Sequence, residues 1–287
     1  MTPKPKRKRS EAVYFWIIRI FNYFIVFIVG YIIFDIVWNG IGAINWEFIT
    51  GIPRKGGAAG GIFPAIIGTI LLSVGTVVFA LPLGMFTAIY LSEYAKTSRF
   101  TRLIRMAIET LAGVPSIVFG LFGLGLFCLF FGFGQSLLAG CLTLACMVLP
   151  IIIVTSEEAL KSVPQSFREG SLALGATKWQ TVRKNVLPYA VPGMLKGSLL
   201  GISRAAGETA PILLTAVAYF LPRLPQSVYD PIMALPYHLF ILATQLPDQA
   251  KVRPLQYGTA FVLLILVLGL NLLTIYLRVR LRKKYRW

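Results

Sequence analysis

Two charged residues stand inside a long apolar run, and their spacing carries most of the chemistry the chain offers. Arg204 and Glu208 lie in GISRAAGETAPILLTA, within the run from about Gly197 to Tyr219. Counted from Gly197 at 1.5 Å per residue, Arg204 would lie about 10 Å and Glu208 about 16 Å along the helix, near the midplane of a bilayer. A charge at that depth costs about 2.5–3.5 kcal/mol on insertion scales, so it is retained for a reason. An i,i+4 spacing puts both on one helix face, where they can pair. Two readings follow. The pair can be an internal lock between helices. It can also belong to an anion pathway, because a guanidinium is always charged and meets an oxyanion through two parallel donors. Glu208 would then hold Arg204 at rest and release it to the anion. A third ionisable group, Glu109, lies near the start of another apolar run. It can line the cytoplasmic mouth, or satisfy a helix start broken near Pro115.

Little else in the chain could do chemistry. Cys128, Cys141 and Cys146 lie in or beside apolar runs, with no Cys or His at metal-ligand spacing, and read as small hydrophobes. His238 is the sole histidine and is expected in a loop, which excludes a His-based metal or catalytic cluster. No phosphate-binding glycine loop is present, so ATP hydrolysis is not expected of this chain. No catalytic residue, metal site or resident cofactor is assigned.

The elements that must hold these residues are membrane helices. The 287 residues are 56% hydrophobic and 14% charged, with a mean hydropathy of +0.74, against about 25% charged in soluble domains. The apolar residues fall in blocks, at about Val13–Trp38, Ile62–Leu91, Met106–Phe131, Ser136–Val154, Gly197–Tyr219 and Tyr257–Leu277. The expected fold class is an all-α polytopic membrane protein with six transmembrane helices. Gly113 and Pro115 should kink or break the third run. The outer loop 39–61 offers Trp46 and Phe48 as interfacial anchors. Residues 1–12 read as a basic cytoplasmic tail, 13–61 as a first span and outer loop, 62–278 as the core, and 279–287 as a second basic tail.

A net charge of +17 could suggest nucleic acid, but no basic face is interleaved with aromatics. The charge sets topology instead. Of the 28 Lys and Arg, Arg54, Lys55, Arg223, Lys251 and Arg253 fall in loops on one side, while Arg19 and Arg204 lie in apolar runs. The remaining 21 lie in the two tails and the loops of the other side. The positive-inside rule makes that side, with both termini, cytoplasmic.

The largest polar island, Thr155–Ala190, is therefore cytoplasmic. Thr155/Glu158, Ser166/Glu169 and Thr177/Gln180 each fit a capping box. Gly175 suits a helix end, and Pro188 is expected to stop the last helix. Two short helices are expected, at about 167–174 and 178–186, the first presenting Phe167, Leu172 and Leu174 as apolar knobs. Such an element is either a solvated connector or a docking helix.

The spacing Glu169-Gly170-Ser171, then Gly175, then Leu187-Pro188 resembles the EAA motif of ABC-importer permeases. Glu, Gly and Leu-Pro fall in register, and the departures are Gly170, Ser171 and Asn185. SRAAGETAPILLTA, GGIFPAIIGTILLS and IETLAGVPSIVFGLFG are in turn similar to permeases of phosphate-specific transport (Pst) systems, of the PstA type more than its partner PstC. The resemblance implies a type I importer (MetI-like) fold in a bacterial-type plasma (inner) membrane. It makes 155–190 the coupling loop for the ATPase and places Arg204 and Glu208 at positions implicated in phosphate passage. The partners it implies are a homologous PstC-like permease as heterodimer, PstB-like subunits that bind ATP–Mg, a PstS-like extracytoplasmic phosphate-binding protein, inorganic phosphate and membrane lipids, without nucleic acid. The rivals are a permease for another oxyanion (sulfate or molybdate) and a non-transporting membrane scaffold.

Overall fold

A computed structural model describes residues 9–57 and 59–284. Its helices are α1 (Arg9–Ile41), α2 (Trp46–Thr50), α3 (Phe63–Ile89), α4 (Arg99–Ala112), α5 (Ser116–Gly123), α6 (Leu137–Lys161), α7 (Gln165–Ala173), α8 (Lys178–Thr181), α9 (Leu187–Gly207), α10 (Ala210–Thr215), α11 (Leu235–Thr244) and α12 (Gln249–Lys284). The small antiparallel pair β1 (Pro53–Arg54) and β2 (Ala59–Gly60) decorates the loop after α2. Three helices run on through a turn with i→i+5 bonding. The first two close with Ala95 N–H to Tyr90 O (2.8 Å) and Phe131 N–H to Leu126 O (3.0 Å), and the third spans Val182–Val186 between α8 and α9.

Among the described residues, four helices are long and apolar enough to cross a membrane: Val13–Ile41, Phe63–Tyr94, Leu137–Lys161 and Gln249–Arg280. A fifth crossing is available if Arg99–Ala112 and Ser116–Phe130 count as one span, but the two are bent by 106°. The hinge is Gly113-Val114-Pro115, as the sequence suggested, because proline disfavours helix in the residue before it. Run five is also discontinuous. Its helix starts ten residues earlier than hydropathy indicated, at Leu187, and ends at Gly207. Glu208 is extended (φ −77°, ψ 134°), and Pro211 opens the short α10. Six continuous spans are therefore not reached.

The core is built around α6. Its neighbours come close because glycine faces it at the crossings. Gly193, Gly197 and Gly201 of α9 lie at i,i+4,i+8 against Ala159, Thr155 and Ile152. A Cβ on Gly193 would stand 2.7 Å from the Ala159 Cβ, and one on Gly197 would overlap the Thr155 hydroxyl. On the other side a Cβ on Gly84 of α3 would meet Ile152 at 2.6 Å. In hydrocarbon no hydrophobic force drives helices together, and small residues allow the close packing that replaces it. One buried cluster, including Leu72, Leu144, Met147, Ile212 and Ile232, fills the body. A second, including Ile89, Leu160, Val182, Val186 and Met194, fills the end that carries α7 and α8. By contrast α1 buries little and packs on α12, where Tyr257 donates to Asp35 (3.0 Å).

Several local expectations are corrected. Thr155 is interior to α6, with its hydroxyl bonded back to Ile151 O (2.7 Å), and Ser166 lies inside α7, which Pro164 precedes without a side-chain cap. Neither makes a capping box, because the helices continue through or begin before those residues. The third box forms: Thr177 and Gln180 cap α8 reciprocally. Pro188 starts α9 rather than ending its predecessor, since proline fits the first turn, where its missing N–H costs nothing. His238 is not in a loop but buried in α11. Phe48 is a core residue with Ile62 and Leu235, whereas Trp46 is 80% exposed as an anchor should be.

Candidate functional site

The Arg204–Glu208 pair forms as its spacing implied. Arg204 Nε donates to Glu208 Oε1 at 3.1 Å, the one bond found for either side chain among the described residues. The side chains are 35% and 19% exposed. Arg204 is in the last turn of α9 and Glu208 caps it in extended backbone, so the acid sits on the break itself. Next to the pair, Ala205 and Ala206 are buried, and Ile212 of α10 lies in the same cluster as Ala205. Ser203 hydrogen-bonds Asn271 of α12, tying the end of α9 to the last helix.

The two breaks belong to one arrangement. Beyond the α4–α5 hinge, a Cβ on Gly120 of α5 would stand 3.0 Å from Pro211 Cα of α10, so these two half-helices press backbone to backbone. Discontinuous helices of this kind leave backbone carbonyls and N–H groups free for ligands in membrane transport proteins. Glu109 lies elsewhere. It is exposed near the end of α4 and lines a cleft of about 160 Å³ with Arg105, Glu157, Glu158 and Lys161. It is thus on the face of the charged island and not at the Arg204–Glu208 pair.

The EAA-like residues build a second site. Glu169 and Gly170 are exposed on α7, while Ser171 is buried and bonds the Thr181 hydroxyl at 2.9 Å, clipping α7 to α8. Gly175 turns the chain between them at φ 81°, a conformation that glycine adopts without strain. Leu174 (90% exposed) and Leu172 (49%) are open knobs. Phe167 is not: it stacks on Tyr189 with centroids 5.2 Å apart and packs beside Leu187 on the second cluster. Trp179, 54% exposed on α8, adds an apolar knob that the motif did not single out.

Two ion-pair nodes beneath this surface escaped the sequence reading. Arg168 meets Glu93 through two bonds, Nη2 to Oε1 at 2.8 Å and Nε to Oε2 at 3.3 Å. It also donates to Val163 O (2.7 Å) and Leu160 O (2.9 Å), and the two side chains are only 13% and 7% exposed. Glu157, buried on α6, takes Arg105 Nη1 at 2.6 Å and Lys161 Nζ at 2.8 Å. The 75-residue separation of Arg168 from Glu93 hides that pair from any local pattern.

Comparison with known proteins decides what kind of machine this is. Residues 80–287 match the family model described as the binding-protein-dependent transport system inner membrane component. The chain belongs to that family. This permease is 33% identical over 263 residues (87% of the chain, 88% of the relative) to a probable ABC transporter permease protein, YqgI, of Bacillus subtilis. It is 39% identical over 220 residues (77% and 71%) to the phosphate transport system permease protein PstA 1 of Mycobacterium tuberculosis. A probable PstA of Methanocaldococcus jannaschii is 32% identical over 93% of both chains. Among solved structures, the permease superposes on a bacterial alginate ABC transporter (TM-score 0.64, 14% identity, 93% of this chain and 96% of that one). It also superposes on the inward-facing MetNI methionine transporter (0.58, 19%, 77% and 94%). These confirm the importer-permease fold, and the protein is a multi-pass membrane permease.

Proposed function

We propose that this permease is one half of the transmembrane pathway of an ATP-driven inorganic phosphate importer. The observation that carries the reading is a part-buried guanidinium, Arg204, in an apolar stretch, held by a single carboxylate contact at a broken helix. The names of the PstA relatives specify the anion. The reading implies a working cycle. At rest Glu208 neutralises Arg204. An oxyanion competes for the guanidinium through two parallel donors, and a carboxylate bound through one nitrogen is the weaker partner. Movement at the break then returns Glu208 to Arg204 behind the departing anion.

The remaining parts fit the same reading. The exposed surface of Leu172, Leu174, Glu169 and Trp179 docks an ATPase subunit that supplies ATP–Mg chemistry. A homologous permease completes the pathway, and an extracytoplasmic binding protein delivers phosphate over the loops 39–61 and 220–255. Both termini lie in the cytoplasm, as the positive-inside rule requires. The test is uptake of radiolabelled phosphate by ATP-loaded vesicles holding the complete complex, with sulfate and molybdate as competitors. ATP-dependent uptake that neither competitor reduces supports phosphate. Uptake abolished by a competitor reassigns the anion, and absence of any anion uptake in a complex that hydrolyses ATP removes the reading.

A further inference from the structure

We propose that Arg168 and Glu93 are positioning residues. They form a strut that makes the coupling helix α7 move as one piece with the membrane body, so that ATPase motion reaches the helix break at Glu208. The inference rests on the reading of α7 as the element an ATPase grips.

Without the strut, α7 hangs between two short connections, 162–164 and 174–177, and its outer face is open. Packing of Phe167 and the Ser171–Thr181 bond hold it to α8 and to the start of α9. Phe167 also rests on the apolar cluster to which α3 and α6 contribute, and Arg168 adds a directional polar connection to those two helices. Its guanidinium spans Glu93, in the turn that continues α3, the carbonyl of Leu160 in the last turn of α6, and that of Val163 in the connection that follows. Four donor contacts from one planar group fix both position and direction, which a single bond cannot do. Both side chains are nearly buried, so solvent screens the pair little.

From there the connections continue inward through stiff parts. Glu157 of α6 binds Arg105 of α4 at 2.6 Å, and Arg105 also donates to Leu91 O at 2.8 Å, so α3, α4 and α6 are joined at one level. The far end of α4 is the hinge at Gly113–Pro115, beyond which α5 presses on α10 at Gly120–Pro211. The chain just before α10 is Glu208. A displacement of α7 therefore has a continuous packed route to Glu208 at the helix break. A route is evidence of coupling only when both ends respond to its removal.

The experiment uses the complete complex in proteoliposomes, with ATP hydrolysis measured alone and with the ligand-loaded binding protein outside. Wild type is compared with Arg168→Ala, Arg168→Lys, Glu93→Ala, Glu93→Gln and the double Glu93→Ala/Arg168→Ala. Basal hydrolysis should stay within about twofold, while stimulation by the binding protein falls about tenfold in either alanine variant, the scale set by losing charge-assisted hydrogen bonds. The double variant should be no worse than either single one, as expected of two groups acting as a unit. Arg168→Lys, which keeps the charge and loses the fork, should fall between. Stimulation that survives, a double variant with multiplied losses, or basal and stimulated rates falling together would overturn the strut. If the alanine variants do not assemble, Arg168→Lys and Glu93→Gln decide: full stimulation in both overturns it. Stimulated hydrolysis without phosphate uptake in the wild type would sink the phosphate assignment and leave the strut test readable.

Discussion

Two Arg–Glu pairs lie in this permease, and they are built differently. On α7, Arg168 is held by four contacts, two to Glu93 and two to carbonyls, in a nearly buried setting at the wall of a cleft. At the end of α9 Arg204 keeps one bond, to a Glu208 four residues on, with a third of its side chain open. The first joins elements 75 residues apart, and the second closes within a turn at the end of one helix. Removing one partner of a buried pair strands the other and typically costs about 3–5 kcal/mol. A partly exposed single contact is far easier to exchange for another anion. Under the proposed function, the contrast assigns the same residue types to a fixed joint where they are over-determined, and to a releasable latch where they are not.

The deepest way to break this comparison is to remove the frame both pairs share. Gly197→Leu places a branched side chain into Thr155 at the α6–α9 crossing. Overpacking of this kind costs about 1–3 kcal/mol or more, and no complex with its ATPase should be recovered from detergent. Arg204→Ala comes next. Loss of a charge-assisted contact to the anion, worth about 1.5–3 kcal/mol, should lower phosphate uptake about 100-fold while ATPase co-purification is unchanged. If uptake persists, Arg204–Glu208 is a structural lock and the contrast collapses.

Smaller effects sharpen the picture of the docking face. Leu174→Asp puts a charge where an apolar knob should meet the ATPase, and should weaken capture of that subunit about tenfold in a pull-down, within the range for an interface anchor. Thr177→Ala removes half of the capping box of α8. A cap is worth about 1 kcal/mol, so amide exchange in Lys178–Thr181 should quicken about fivefold with uptake little changed.

Much of this was legible beforehand, and the misses have common physical causes. Apolar blocks, the hinge at Gly113–Pro115 and the i,i+4 pair depend on local sequence, and all were readable from it. The bounds of run five were not. The polarity pattern carries the polar island on to Ala190 and begins the run at Gly197, whereas α9 begins at Leu187, just after the charges Arg183 and Lys184, and ends at Gly207, within the apolar run. The capping signal at Thr155 was outvoted because α6 buries its apolar face through it, as tertiary packing commonly overrides local preference, whereas at Ser166 the helix simply begins one residue earlier, after Pro164. Phe48 read as an anchor for its position beside Trp46, yet the loop folds it onto Ile62 and Leu235. The Arg168–Glu93 pair joins residues 75 apart, so no local spacing could announce it. Its only trace was a lone acid, Glu93, at the end of an apolar run, too close to the polar loop to stand out.

The most direct measurement of the central contrast sets Arg204→Ala beside Arg168→Ala in one reconstituted system, reading phosphate uptake and binding-protein-stimulated ATP hydrolysis together. A latch and a joint should separate. Arg204→Ala should lose uptake yet keep stimulated hydrolysis, while Arg168→Ala should lose the stimulation itself. If both variants lose the two activities in the same proportion, the pairs do one job, and the distinction drawn between them is wrong.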